Sequence, residues 1–211
     1  LLGTDIKANT RRGQYESYAT EPGVPTTSTT ATFGALRLLI DNWRWQGVPF
    51  YLRSGKCMSC RTTQIVVQFR SPPHMLFTDQ DQAVMDANRL VIQIQPAEGI
   101  QIHIHTKVPD AGMRVRMTDL DFRFNQHFRG ALPDAYQRLL LDAAQGDASL
   151  FARSDEVELA WAIMDPIIEC WASSAGPPLE LYRRGAWGPP GSEAWIQAHE
   201  REWFNVCPVL S

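Results

Sequence analysis

Between Ile100 and His105 the chain reads Ile-Gln-Ile-His-Ile-His, a strict alternation of apolar and polar side chains. Only an extended strand returns every second residue to the same face. Ile100, Ile102 and Ile104 therefore face one way, and Gln101, His103, His105 and Lys107 the other. The second face is polar with little charge, which suits solvent or a partner sheet. Gln64–Phe69, Leu90–Gln95 and Val115–Phe124 are equally rich in Val, Ile, Phe and Thr. Pro72-Pro73, Pro96-Ala97-Glu98-Gly99 and Pro109-Asp110-Ala111-Gly112 separate these strands with turn chemistry.

Beyond residue 130 the period lengthens. Tyr136, Leu139, Leu140, Ala143 and Ala144 share a helical face, with Gly146 as the stop. Ser154 is the expected N-cap of a second helix, with Asp155, Glu156 and Glu158 in its first turn, where the helix dipole favours acids. Val157, Ala160, Trp161, Met164 and Ile168 continue one face, and Pro166 is expected to kink or end it. A short helix is expected over Ser192–Glu202. Strands followed by helices, without an internal repeat, indicate an α+β fold. Upstream, residues 8–31 are rich in Thr, Ser, Gly and Pro and read as a loop-rich entry. Phe33–Ile40 fits strand and helix alike, and Val48–Leu52 is a second apolar piece. The organisation is an entry segment at 1–31, a sheet-plus-helix domain at 32–174 and a Pro/Gly/Trp-rich extension of that domain at 175–211.

Charge narrows the classes of partner. Twenty Lys and Arg against 23 Asp and Glu leave a net charge of −3 without a basic block, so the footprint of a nucleic-acid binder is missing. No window approaches the roughly 18 apolar residues of a membrane span. Four cysteines are too few for a disulfide scaffold, and the start shows no signal peptide, so the expected compartment is reducing and cytoplasmic. The chain begins at Leu1 rather than Met, as a piece of a longer protein does.

The first chemical motif is Val48-Pro49-Phe50-Tyr51-Leu52-Arg53-Ser54-Gly55-Lys56. A strand delivers a lysine just past a glycine, with Arg53 before it and Arg61 after it. Lys is a mobile point charge for a phosphate, Arg forks onto two oxygens, and Gly55 would let backbone approach a ligand. A phosphorylated metabolite fits; a solvated loop with ordinary surface cations is the bland alternative. Cys57-Met58-Ser59-Cys60 lies directly between Lys56 and Arg61. Such a pair can form a redox disulfide that displaces both cations, or hold zinc with Cys170, Cys207, His103 or His105, or be two unremarkable thiols. His103 and His105 share a strand face as metal ligands do, although ordinary sheet polarity explains them more simply. The seven Trp, among them Trp43, Trp45, Trp161, Trp171 and Trp187, read as core and interface mass. Asp155, Glu156 and Glu158 read as first-turn acids rather than an acid–base pair.

Several segments together resemble a known family. They are Arg12-Gly13-Gln14-Tyr15, Val24-Pro25, Ser28-Thr29-Thr30-Ala31-Thr32-Phe33 and the run from Asp41-Asn42-Trp43 to Ser54-Gly55-Lys56. Ile94-Gln95-Pro96, Ala135 to Asp142, Phe151 to Val157, Ala160-Trp161 and Trp187-Gly188-Pro189 continue the series. In order and spacing they resemble the C-terminal domain of glucose-6-phosphate dehydrogenases. The resemblance implies a large, mostly antiparallel β-sheet with helices on one face, which packs against another subunit's sheet in a homo-oligomer. It implies oxidation of glucose 6-phosphate at C1 with hydride passed to NADP⁺, the entry to the oxidative pentose phosphate pathway. Lys56 matches the family's substrate-contacting lysine, Arg61 a phosphate-holding position and Gln95 the glutamine of a Gln-Pro motif near sugar and cofactor. Arg53 matches a cofactor position. Thr62, Val66 and Gln93 stand uncharged where some members use basic residues for a second, structural NADP⁺, so no strong site of that kind is expected here.

The family's general-base His, its Asp partner and its nucleotide-binding domain match nothing in this chain, and His74, His103, His105, His127 and His199 lie in none of those motifs. NADP would then be held mainly by a separate N-terminal domain, and the isolated chain is expected to be inactive. The rival expectation is a non-catalytic dimerisation or regulatory module. A plastid location is the alternative to the cytoplasm.

Overall fold

The computed structural model describes residues 5–71, 87–109, 111, 114–127 and 135–208. In chain order the first elements are α1 (Ile6–Asn9), β1 (Thr10–Tyr15), a 3-10 turn (Tyr18–Thr20), β2 (Phe33–Leu39), β3 (Pro49–Gly55) and β4 (Thr63–Gln68). Then come β5 (Arg89–Gln95), β6 (Gly99–Lys107), β7 (Val115–Arg123) and α2 (Phe124–His127). The chain continues with α3 (Ala135–Gln145), α4 (Ser154–Ala172), β8 (Leu179–Tyr182) and α5 (Pro190–Gln197). Pro72-Pro73 lies outside the described residues, and the 109–112 turn is described only in part. The chain divides into two compact units: Leu1–Ser59 with Leu132–Trp203, and Cys60–Ala131 with Phe204–Ser211.

The first unit carries a four-stranded sheet in the order β3-β2-β1-β8. β2 runs antiparallel to β1 and β3, placing Phe33 opposite Gly55 and Leu36 opposite Leu52. β8 joins β1 in parallel, with Tyr15 beside Tyr182. The ambiguous Phe33–Ile40 segment is therefore a strand. Two strands depart from expectation: β1 sits inside the supposed loop-rich entry, and β8 inside the Pro/Gly/Trp-rich tail. β1 holds two Arg, a Gly and a Gln, and β8 is only four residues long, so neither stands out by propensity; their partners make them strands. Tyr15, Phe33, Ala35, Tyr182, Trp195 and Ile196 form the core. Its rings meet edge to face, Phe33 and Tyr182 at 5.8 Å and Tyr51 and Trp195 at 5.8 Å between centroids.

The helices largely follow their sequence signals. α3 stops before Gly146, whose φ of +73° is the left-handed conformation glycine supplies at a helix end. α4 differs from expectation at both landmarks. Arg153 occupies the N-cap, so Ser154 is already helical and gives no cap bond. The helix also runs through Pro166 to Ala172. A proline inside a helix removes one backbone hydrogen bond; Pro166 itself is exposed, and the fully buried Ile167 beside it is the packing that opposes that loss. α5 begins at Pro190, pre-set for a first helical position, and ends at Gln197, short of the expected Glu202. Trp195 is buried, and Trp171 donates its indole N–H to Thr10 Oγ1 at 2.9 Å. Of the Trp expected as core and interface mass, Trp43, 90% exposed, and Trp161, also exposed, lie outside the core.

The second unit is an antiparallel meander in the order β4-β5-β6-β7, so sequence neighbours are sheet neighbours. Register aligns Ile65 with Ile92, Ile92 with Ile100 and Ile100 with Phe122; it also aligns Ile102 with Leu120. One face of this sheet is thus apolar across all its strands. That face is the open one within the unit: Ile65, Val67, Ile94, Ile100, Leu120 and Phe122 are exposed. On the other face Val91 is fully buried, and the His103 ring lies 5.9 Å from Phe204. Phe204 lies on the polar face: Gln64 donates to its carbonyl at 3.2 Å. A disulfide joins Cys60 to Cys207. The architecture is α+β with antiparallel pairing except at β1–β8, its strands shared between two sheets.

Candidate functional site

β3 ends at Gly55 and delivers Lys56 with an exposed side chain and a held backbone. The Lys56 N–H donates to the Thr32 carbonyl at 2.8 Å, and its own carbonyl accepts the Tyr182 hydroxyl at 2.7 Å. Cys57 follows with φ +51°, a left-handed turn fixed by the Gly185 N–H on the Cys57 carbonyl at 2.8 Å. The Ser59 N–H donates to the Ala186 carbonyl at 3.0 Å. These hydrogen bonds hold the Lys56 main chain, while its exposed side chain keeps its own rotamer freedom. Gly55 serves packing rather than ligand approach: a Cβ there would stand 2.7 Å from Met58 Sδ and 3.0 Å from Phe33 Cδ2.

Arg53 lies one β-period before Gly55 and turns inward. Its guanidinium carbon sits 5.1 Å from the Trp187 ring centre and 4.7 Å from that of Trp203. It donates to the Trp187 carbonyl at 3.3 Å and lies 4.0 Å from Glu193. Only 10% of the side chain is exposed, and burial depresses its pKa to about 10 against the opposing pull of Glu193. It stays cationic at neutral pH, engaged with two indoles and a carboxylate.

Arg61 and Gln95 belong to the second unit, where the structure brings their strand ends together. Gln95 is the last residue of β5 and pairs with Thr63. Thr62 donates its hydroxyl to the Gln95 carbonyl at 3.2 Å. Both the Arg61 and Gln95 side chains are exposed. Cys57 and Cys60 do not pair with each other. Cys57 is a free thiol packed against the aromatic core of the first unit, and Cys60 is bonded to Cys207 in the second. A disulfide is thus present where the cysteine count pointed to reduced thiols. His103 Nδ1 lies 2.6 Å from Asp119 Oδ1, and His105 Nδ1 lies 3.2 Å from Asn88 Oδ1, so each imidazole has its own partner. Among the described residues no group of three or more His, Cys, Asp or Glu stands close enough to hold a metal ion.

The sequence reading missed Tyr182 altogether and gave Thr32 no role. Thr32 stands in a segment that carries the family resemblance, whereas Tyr182 sits in an irregular tail without a pattern to mark it.

The model of the family described as "Glucose-6-phosphate dehydrogenase, C-terminal domain" matches residues 2–204. The chain belongs to this family. Named relatives agree. A glucose-6-phosphate 1-dehydrogenase of Treponema pallidum is 40% identical over 98% of this chain and 42% of its own length. One of Dickeya dadantii is 43% identical over 96% of this chain and 44% of its own length. A solved structure titled "Glucose-6-phosphate dehydrogenase in complex with its substrate glucose-6-phosphate" superposes with a TM-score of 0.84 at 31% identity, over 94% of this chain and 42% of that one. As a glucose-6-phosphate dehydrogenase C-terminal domain, the chain spans less than half the length of these relatives. Among its described residues no helix is long and apolar enough to cross a membrane.

Proposed function

We propose that this chain is the substrate-side and self-association domain of an NADP-dependent glucose-6-phosphate dehydrogenase acting in the cytoplasm. In that reaction C1 of glucose 6-phosphate loses hydride to NADP⁺ and a proton to a base, giving 6-phosphogluconolactone. The observation that carries this reading is the exposed ammonium of Lys56 on a backbone held at both ends. Lys56 and Arg61 supply cations to the phosphoryl group, and Gln95 assists at the sugar. A dianionic phosphate held by such charges gains charge-assisted hydrogen bonds about twice as strong as neutral ones.

The residues of this chain do not fit a resident dinucleotide. Thr62, Val66 and Gln93 carry no charge, and the Arg53 guanidinium is committed to Trp187, Trp203 and Glu193. Arg53 is accordingly assigned to the fold, and no chemical step is routed through a cofactor here. Nucleotide, base and oxidant come from the rest of the full-length protein, so the isolated chain has no turnover. The one-sided apolar face of β4–β7 supports pairing with a second copy: apolar side chains aligned across a whole sheet are costly to leave in water.

Two measurements test the reading. In the full-length enzyme, Lys56→Ala with Arg61→Ala raises KM for glucose 6-phosphate by about 10²-fold or more, in line with a loss of two charged hydrogen bonds; an unchanged KM sinks it. NADP⁺ reduction by the isolated chain stays at blank; turnover there overturns the inactivity.

A further inference from the structure

We propose that Tyr182 is the positioning residue for Lys56: its hydroxyl fixes the backbone from which the ammonium reaches the phosphoryl group. The inference rests on the reading of Lys56 given above and adds to it a residue that itself does not touch substrate.

The distances favour one assignment of protons. Tyr182 is 2% exposed, so its hydroxyl must find partners inside the protein. The nearest acceptor is the Lys56 carbonyl at 2.7 Å; the Thr32 carbonyl is farther, at 3.2 Å. The phenol has a single proton, and the shorter contact takes it. Thr32 Oγ1, 3.2 Å from the phenol oxygen, is then the donor to it. That leaves a Thr32 lone pair for the Tyr15 N–H at 3.0 Å. A directed chain results, from the β1 backbone through Thr32 and Tyr182 to the Lys56 carbonyl. The Lys56 N–H closes the ring by donating to the Thr32 carbonyl at 2.8 Å. Both main-chain groups of Lys56 are therefore committed to partners that cannot move independently.

Tyr182 is itself immobile. It ends β8, pairs in register with Tyr15, and packs its ring 5.8 Å from Phe33 and 6.4 Å from Tyr15. Phe33 in turn lies opposite Gly55, the residue before Lys56. A strand from the far end of the chain thus carries the tyrosine to the substrate lysine, across 126 positions of sequence. Without the hydroxyl the Lys56 carbonyl loses its partner and the turn into Cys57 loosens, while the ring still fills the core.

The test is a double-mutant cycle in the full-length enzyme, with Tyr182→Phe, Lys56→Ala and their combination. Tyr15→Phe is the control, because the Tyr15 hydroxyl faces Glu21 at 3.4 Å rather than the loop. Tyr182→Phe is expected to raise KM for glucose 6-phosphate about three- to tenfold, the worth of one buried hydrogen bond, with kcat and KM for NADP⁺ within about twofold. On the Lys56→Ala background the same change adds less than about twofold, because the group being positioned is gone. Amide exchange in the peptide containing Lys56 speeds up in Tyr182→Phe and not in Tyr15→Phe. Unchanged KM and unchanged exchange in Tyr182→Phe overturn the proposal, as does a full Tyr182 effect persisting without the lysine. If Lys56→Ala itself leaves KM unaltered, the phosphate-binding reading fails, and exchange at Lys56 alone then decides whether Tyr182 holds this backbone.

Discussion

The two units solve the same problem in opposite ways. Each builds a four-stranded sheet. The second takes consecutive strands as a meander, so that every pairing is local in sequence, and it leaves an apolar face open. The first interleaves distant segments, borrowing β8 from near the C-terminus, and it closes an aromatic core. Local pairing is quick to form and easy to recognise, but it does little to fix a side chain near another element. Non-local closure costs more chain entropy, and what it delivers is precision: Lys56 is clamped by residues from both ends of the chain. The candidate sugar-phosphate lysine thus lies on the unit with long-range closure, and the surface suited to self-association lies on the meander.

This contrast can be broken by experiment. The largest effect is expected from Trp195→Ala in the intact protein, which removes a 3% exposed indole from the aromatic core. Loss of about 3–5 kcal/mol is expected, seen as an early thermal transition with faster amide exchange in β1, β2 and β8. If exchange rises equally in β4–β7, the units do not differ in what holds them. Cutting the Cys60–Cys207 link with Cys207→Ser is expected to cost about 2–4 kcal/mol, with the exchange increase confined to β4–β7. An increase in β1–β3 instead would erase the distinction.

Gly55→Ala sharpens it further. The new methyl group crowds Met58 and the buried Phe33, and a loss of about 1–3 kcal/mol is expected, together with a higher KM for glucose 6-phosphate, because the crowding sits one residue before Lys56. Leu120→Lys lies on the open face, where Leu120 is 54% exposed. It should leave stability within about 0.5 kcal/mol and abolish self-association in sedimentation experiments. Retained self-association would remove the apolar face from the interface.

The smallest effect is a pH dependence. Burial pushes the Tyr182 phenol above its ordinary value of 10.0. A folded pKa above the unfolded one means that the neutral, hydrogen-bonded phenol stabilises the fold in full below the unfolded value. That contribution is lost as pH rises through the folded value. The stability gap between the wild type and Tyr182→Phe should therefore be constant below about pH 10 and narrow above it. A gap that shrinks below neutral pH would point to a different titrating group.

Alternation, β-rich composition and turn residues marked the four strands of the meander, and helical spacing marked α3, α4 and the α+β order, because these are local properties of a chain. The motif order identified the family and marked Lys56, Arg61 and Gln95. Sequence could not determine which face of the β4–β7 sheet is covered, since Phe204, which lies on it, stands in a stretch without a periodic signature. It could not reveal β1 or β8, whose strand character comes from their partners rather than from propensity. The Cys57–Cys60 spacing left a redox pair, zinc ligation and free thiols open, and could not reveal the actual partner of Cys60, because that cysteine lies 147 residues away. Tyr182 was invisible for the same reason. Its role is a hydrogen bond across the fold, and only the closed structure brings together groups that the sequence holds apart.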